Sequence, residues 1–218
     1  MPSKYDFLLL DFDFTLADSS RGVVKCVNYA LSALGLAPAD PQSISKTIGY
    51  SLPETLTQLS GEQDDALRRK FAGLFVKRAD QVMADLTTVY DYVPQAVARL
   101  KQKGLTLAIV STKYRYRIEE ILTRDGLLGF FTTIVGGEDV KLHKPDPAGL
   151  SLAMRQLAAS PGKTLYAGDS LVDAEAAKRC GVDFAAVLSG TTAKEEFSAL
   201  PVKRIFPNLE QLTEWVLG

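Results

Sequence analysis

Five short apolar runs, residues 5–10, 105–110, 132–135, 164–167 and 184–188, punctuate the chain, and each stops at polar or glycine residues. Runs of this length, apolar at successive positions, suit strands buried on both faces, as in a parallel sheet covered by helices. Helical patterns fill the intervals. Pro94 opens one at its first turn, Val97 and Leu100 form its stripe, and Gly104 ends it. Ile118, Ile121 and Leu122 mark a second, closed by Gly126. Pro147 starts a third with Leu150, Met154 and Leu157 on one face, and a fourth over Leu171–Cys180 stops at Gly181. Asn208 caps a last one through Leu217. Strands alternating with helices predict right-handed βαβ units, hence an α/β fold with a doubly wound, mostly parallel sheet.

One block breaks the rhythm. From about residue 19 to 85 no strand-like run occurs. Val23, Val27, Ala30 and Leu34 recur at helical spacing, with Ser20 as N-cap and Gly35 as stop. Ser51 and Pro53 begin a short helix that Gly61 ends, and Leu67, Phe71, Leu74, Arg78 and Val82 trace a long one. The expected organisation is a core of residues 1–18 and 87–218, interrupted after its first strand by an all-helical insertion over 19–86.

Charge narrows the partners. The 25 Lys and Arg against 26 Asp and Glu leave no global field to recruit nucleic acid or a membrane surface. No stretch approaches the ~18 uninterrupted apolar residues of a spanning helix. The opening apolar run is too short for a signal peptide and lacks a small-residue cleavage site. Cys26 and Cys180 have no paired spacing and read as free thiols in a reducing compartment. A cytoplasmic monomer or homodimer is expected, and any anionic substrate must be held by local charge.

That local charge collects at strand ends. The first run delivers Asp11-Phe12-Asp13-Phe14-Thr15 at its carboxyl end, where open α/β sheets bind ligands. Two aspartates one residue apart on a curling turn can face one metal, one by its side chain and one by its carbonyl. A hard cation such as Mg²⁺ takes oxygen ligands of this kind. The second run ends in Ser111-Thr112-Lys113, which sets a hydroxyl and loop N–H groups at the same edge, where they suit phosphate oxygens. Lys144-Pro145-Asp146-Pro147 places a lysine just before a helix, where it would offset the repulsion of nearby carboxylates. The fourth run ends in Gly168-Asp169, and Asp173 falls on the first turn of the next helix.

These four segments, in this order, resemble the haloacid dehalogenase superfamily, and within it the phosphoglycolate-phosphatase-like branch, over essentially the whole chain. The resemblance implies that the insertion is a cap and that the activity is a Mg²⁺-dependent phosphatase acting on a small phosphorylated metabolite. It implies that Asp11 attacks phosphorus and becomes an aspartyl-phosphate, while Asp13 acts as general acid and then base. Asp11, the Asp13 carbonyl and Asp169 would hold Mg²⁺, with Asp173 behind them through water. Thr15, Ser111, Thr112 and Lys144 would hold the phosphoryl group. The sequence departs from the family at Phe14, where glycine is usual. A ring there is expected to narrow the site or pack against the cap.

Dehalogenases lack the second aspartate and phosphonate hydrolases replace it, whereas Asp13 is present here. A sugar-phosphate mutase shares the core motifs, but such mutases resemble the chain less in Thr47-Ile-Gly-Tyr-Ser-Leu52, which has no cation after its glycine. A non-catalytic phosphate-sensing module is the alternative of another class. Arg21, Lys25 and Lys46 are the insertion's candidates for pairing with a second anionic group on the substrate. His143 is read as orienting its loop, and Tyr114 and Tyr116 as a helix surface.

Overall fold

The computed structural model describes residues 4–218, so positions 1–3 of the expected core lie outside it. In chain order the elements are β1 (Phe7–Leu10), β2 (Ala17–Asp18), α1 (Ser20–Ala33), α2 (Pro41–Ser45), α3 (Leu52–Ser60), α4 (Asp65–Val82), β3 (Thr88–Val89) and α5 (Val93–Gln102). There follow β4 (Thr106–Val110), α6 (Arg115–Arg124), β5 (Phe131–Val135), α7 (Ala148–Leu157), β6 (Thr164–Gly168), α8 (Leu171–Cys180), β7 (Asp183–Val187), β8 (Val202–Phe206) and α9 (Leu209–Leu217).

Six strands form one sheet in the order β5-β4-β1-β6-β7-β8, and every neighbouring pair is parallel. Side chains alternate across it. Leu8, Leu10, Leu107 and Ile109 face α5, α6 and α9, whereas Leu9, Ala108, Val110 and Tyr166 face α7 and α8. Leu8, Leu9 and Leu10 are all fully buried, each contributing about 1.5–3 kcal/mol by leaving water. Apolar residues at every position of β1 therefore follow from helices on both faces. The topology reverses on either side of β1, so the crevice expected of a doubly wound sheet opens at its carboxyl end.

The five expected strands are present with ends shifted by at most two residues. The sixth, β8, is an addition: exposed Lys203 and Arg204 interrupt its apolar pattern, as suits the edge position it takes. The helix α2 is a further addition, started by Asp40, whose side chain accepts from the Ser43 N–H, with Pro41 at its first turn.

Between β2 and β3 lie only helices, α1–α4. They enclose a separate cluster of Val23, Cys26, Val27, Ile44, Leu56, Phe71 and Phe75. The two strands flanking this block pair with each other antiparallel, Ala17 with Val89 and Asp18 with Thr88. The N-cap expected at Ser20 falls at Ser19, yet Ser19 makes no capping bond, because its hydroxyl donates to Asp13 instead. Among the described residues no helix is long and apolar enough to cross a membrane.

Candidate active site

The carboxyl ends of β1, β4 and β6 bring Asp11, Ser111 and Asp169 to one edge, and the loop before α7 brings Lys144. Lys144 Nζ donates to Asp11 Oδ1 at 2.8 Å and to Asp173 Oδ1 at 2.5 Å. Tyr166, in the middle of β6, points its hydroxyl into the same cluster and donates to Asp173 Oδ1 at 2.7 Å. Asp173 Oδ2 accepts from the Ser170 hydroxyl and N–H, which closes a capping box at the start of α8. Both Asp173 oxygens are thus occupied. Asp173 orients the cluster rather than facing open space.

Two glycines make this approach possible. A Cβ at Gly168 would fall 2.5 Å from the Asp173 carboxyl carbon, and one at Gly190 would fall 1.9 Å from Asp169 Oδ2. The Asp173 and Asp169 side chains stand where a Cβ at either position would fall.

The charges do not balance. Asp11, Asp169 and Asp173 each offer a carboxylate oxygen within 4.8 Å of the others, all three are buried, and Lys144 is the cation among them. Burial, opposed by Lys144 and reinforced by Asp173, pushes the Asp11 carboxyl up to about 6. Burial first, then the Asp173 and Asp11 charges, drives Asp169 well above the ordinary carboxylate range. Lys144 moves upward, because its two carboxylate partners outweigh the burial that would lower it. A donor set of hard oxygens with excess negative charge fits a divalent cation such as Mg²⁺.

Asp13 stands apart from this cluster. Its Oδ1 accepts from Ser19 at 2.6 Å and pairs with Lys113 Nζ at 3.1 Å, both side chains being nearly buried. Phe14, next to it, takes a left-handed backbone (φ 58°), a conformation costing roughly 1–2 kcal/mol outside glycine. The turn itself therefore favours glycine at this position. The Phe14 ring is buried but does not line the cavity described below, so it does not narrow it. Thr15 is fully buried, and its Oγ1 has no hydrogen-bond partner.

A cavity of about 280 Å³ opens beside Asp13, between the sheet edge and the helical block. The block contributes Val23, Val27, Leu52, Phe75 and Met83, and the turn Gly49-Tyr50-Ser51 lines it as well. The Thr112 hydroxyl, expected on phosphate, donates to the Gly49 carbonyl at 3.2 Å and ties the β4 turn to the block. Arg21, Lys25 and Lys46 are exposed and line no part of the cavity, which corrects the expectation that the insertion's cations reach it. The cavity's cations, Lys113 and Arg117, come from the core instead. Arg117 binds Asp80 at 2.6 Å and the Val76 carbonyl at 3.1 Å, both on α4, and lies 5.1 Å from the Tyr114 and Tyr116 rings. This segment joins core to block rather than forming a free helix surface. His143 holds its loop through the Gly137 carbonyl at 2.9 Å.

Comparison with known proteins agrees over most of the chain. A family model described as "Haloacid dehalogenase-like hydrolase" matches residues 8–187. Phosphoglycolate phosphatase of Aquifex aeolicus is 32% identical over 84% of this chain and 84% of its own. The pyrophosphatase PpaX of Bacillus velezensis is 29% identical over 83% of this chain and 82% of its own. A solved structure of a haloacid dehalogenase-like hydrolase from Bacteroides fragilis superposes with a TM-score of 0.93, at 42% identity over 96% of this chain and 100% of the other.

Proposed function

Because the chain belongs to the haloacid dehalogenase-like hydrolase family, we propose that this phosphatase hydrolyses a small phosphorylated metabolite in the cytoplasm through an aspartyl-phosphate on Asp11. The observation that carries this reading is the buried cluster of Asp11, Asp169 and Asp173 around Lys144.

Asp11 attacks phosphorus, the bond to the leaving oxygen breaks, and Asp13 supplies that oxygen with a proton. Asp13 then takes a proton from the water that hydrolyses the aspartyl-phosphate, releasing phosphate and restoring Asp11. The side chains of Asp11 and Asp169 and the carbonyl of Asp13 would hold Mg²⁺. When bound, the ion would offset negative charge on the transferring phosphoryl group. Asp173 acts behind them, since both of its oxygens are engaged by Lys144, Tyr166 and Ser170. Lys144, bonded to the nucleophile Asp11, would lower the charge on it and on the phosphoryl oxygens. Ser111 offers its hydroxyl, Thr112 its main-chain N–H, and Thr15 its unpartnered hydroxyl at the base of the turn.

The helical block, residues 19–86, is the cap of this site, and residues 1–18 with 87–218 are its core. Its apolar wall over the cavity supports this reading, because it would exclude bulk water from the reacting group. The turn Gly49-Tyr50-Ser51-Leu52 would choose among leaving groups.

The direct test is phosphate release from an aryl phosphate with Mg²⁺, with EDTA, and with Asp11→Asn. Turnover should need both metal and Asp11. Undiminished release by Asp11→Asn would rule out the covalent route. A sugar-phosphate mutase would instead convert its substrate without accumulating phosphate.

A further inference from the structure

Phe14 directly follows Asp13 and holds a left-handed backbone without the freedom of glycine. Such a residue relaxes unless its surroundings hold the peptide groups on both sides of it. Both are held here. The Phe14 N–H donates to the Ala17 carbonyl at 2.7 Å, inside the turn. The Phe14 carbonyl accepts from the Ser189 hydroxyl at 2.5 Å, across 175 positions of sequence.

Ser189 lies just beyond the end of β7, a strand separated from β1 by β6. Its hydroxyl therefore approaches the Asp13 turn from a part of the sheet that does not belong to that turn. Ser189 is itself placed by the paired stem, because its carbonyl accepts from the Tyr90 hydroxyl at 3.4 Å and the Tyr90 N–H is bonded to Leu16. The peptide joining Asp13 to Phe14 is planar, so its bond to Ala17 fixes one side of Phe14, and the Ser189 bond fixes the other. With the Ser189 bond cut, Phe14 is free to rotate towards negative φ. That rotation shifts Asp13, whose carboxylate is set by bonds to Ser19 at 2.6 Å and Lys113 at 3.1 Å.

We infer that Ser189 is a positioning residue for the proton-transfer step: its hydroxyl holds Phe14 left-handed and so keeps the Asp13 carboxyl within reach of the leaving oxygen. Ser189 touches no reacting atom and acts through Phe14. The inference rests on the phosphatase reading above, with Asp13 as proton donor.

The test is a comparison of leaving groups. Ser189→Ala should lower kcat for methyl phosphate by about tenfold or more, since small misplacements of a reacting group can cost ~10²-fold. For p-nitrophenyl phosphate, whose leaving group needs little protonation, kcat should stay within about threefold of wild type. KM should change little for either ester, because the groups expected on the phosphoryl oxygens are untouched. Ser189→Thr keeps the hydroxyl and should hold methyl phosphate turnover within about threefold of wild type. In a Phe14→Gly background the strain is gone, so adding Ser189→Ala should cost less than about threefold. A contact that only stabilises the fold would instead lower the melting temperature and slow both esters alike. Equal losses on the two esters, or methyl phosphate turnover unchanged in Ser189→Ala, overturn the inference. Should Ser189→Ala not fold, Ser189→Cys, similar in size and a weak donor, carries the same expectations. Wild-type protein that releases phosphate from neither ester removes the phosphatase reading, and the inference with it. Equal losses for Ser189→Ala beside a selective loss for Asp13→Asn remove the inference alone.

Discussion

Lys144 Nζ reaches Asp11 Oδ1 at 2.8 Å across 133 residues of sequence, and the same nitrogen binds Asp173. One cation therefore holds together two distant parts of the chain whose carboxylates would otherwise repel one another. The two sides of this pair are not equivalent, because the cluster holds more carboxylates than lysines. Opposite effects on stability follow from removing either charge.

Asp11→Asn removes one of the excess charges while Asp173 still pairs with Lys144. In EDTA its melting temperature should exceed that of the wild type by about 2–4 °C, as a gain near 1 kcal/mol gives in a chain of this size. Added Mg²⁺ should raise the wild-type value more than that of the variant. Differential scanning calorimetry of both proteins with EDTA and with Mg²⁺ measures this. A variant that melts lower than the wild type in EDTA contradicts the charge excess.

Lys144→Met should do the reverse. Asp11 and Asp173 would stay buried without their cation, and breaking a buried pair on one side costs about 3–5 kcal/mol. Urea denaturation in EDTA should show a lower midpoint than wild type, with turnover lost as well.

Asp13→Asn should separate substrates by leaving group. General acid–base groups contribute ~10²–10⁴-fold, and the loss should be largest for alkyl phosphates and small for p-nitrophenyl phosphate. Steady-state kinetics on the two classes decides. Equal losses would sink the assignment of Asp13 as proton donor.

Arg117→Met keeps the bulk of the side chain but removes its bonds to Asp80 and Val76. Since Asp80 is half exposed and can rehydrate, the cost should be modest, about 1–3 kcal/mol. The effect should concentrate in α4, read as faster amide exchange in residues 65–82 than in the sheet. Exchange unchanged throughout α4 would show that this contact does not fasten the block.

Tyr50→Ala alters the turn across the cavity without touching the acidic cluster. It should reorder a panel of metabolite phosphates by at least about tenfold while changing aryl phosphate turnover less. Ser51 is a poorer choice for this purpose. Its hydroxyl caps α3 in a box with Glu54, so its replacement by alanine should cost about 0.5–2 kcal/mol of stability.

Asp11 and Asp169 were legible because each stands at the end of an apolar run, a position that sequence marks twice, by hydrophobicity and by its interruption. Lys113 follows the same kind of run, yet nothing local distinguishes it from a solvated lysine. Its side chain is nearly buried against Asp13, a placement that no neighbouring residue encodes. Tyr166 was hidden differently. It sits inside β6, where the pattern assigns it to the core, and only its hydroxyl leaves that core for Asp173. Phe14 carried a signal in its departure from glycine, the residue that the turn's positive φ favours and that only the folded turn explains. Pattern also failed at β2 and β3, because two residues are too few to show a period.

Those two short strands change what the insertion is in topological terms. Ala17 and Asp18 bond to Val89 and Thr88, and Tyr90 N–H donates to the Leu16 carbonyl at 3.1 Å. The six-stranded sheet therefore experiences the helical block as the loop of a hairpin. Closing a loop costs only about 0.6 kcal/mol more for each doubling of its length. A descendant chain could lengthen, shorten or exchange everything between residues 18 and 88 while the paired stem keeps the reacting edge in register. The length of the enclosure is thus nearly free of cost in loop closure, so long as the stem and the Ser19–Asp13 bond persist.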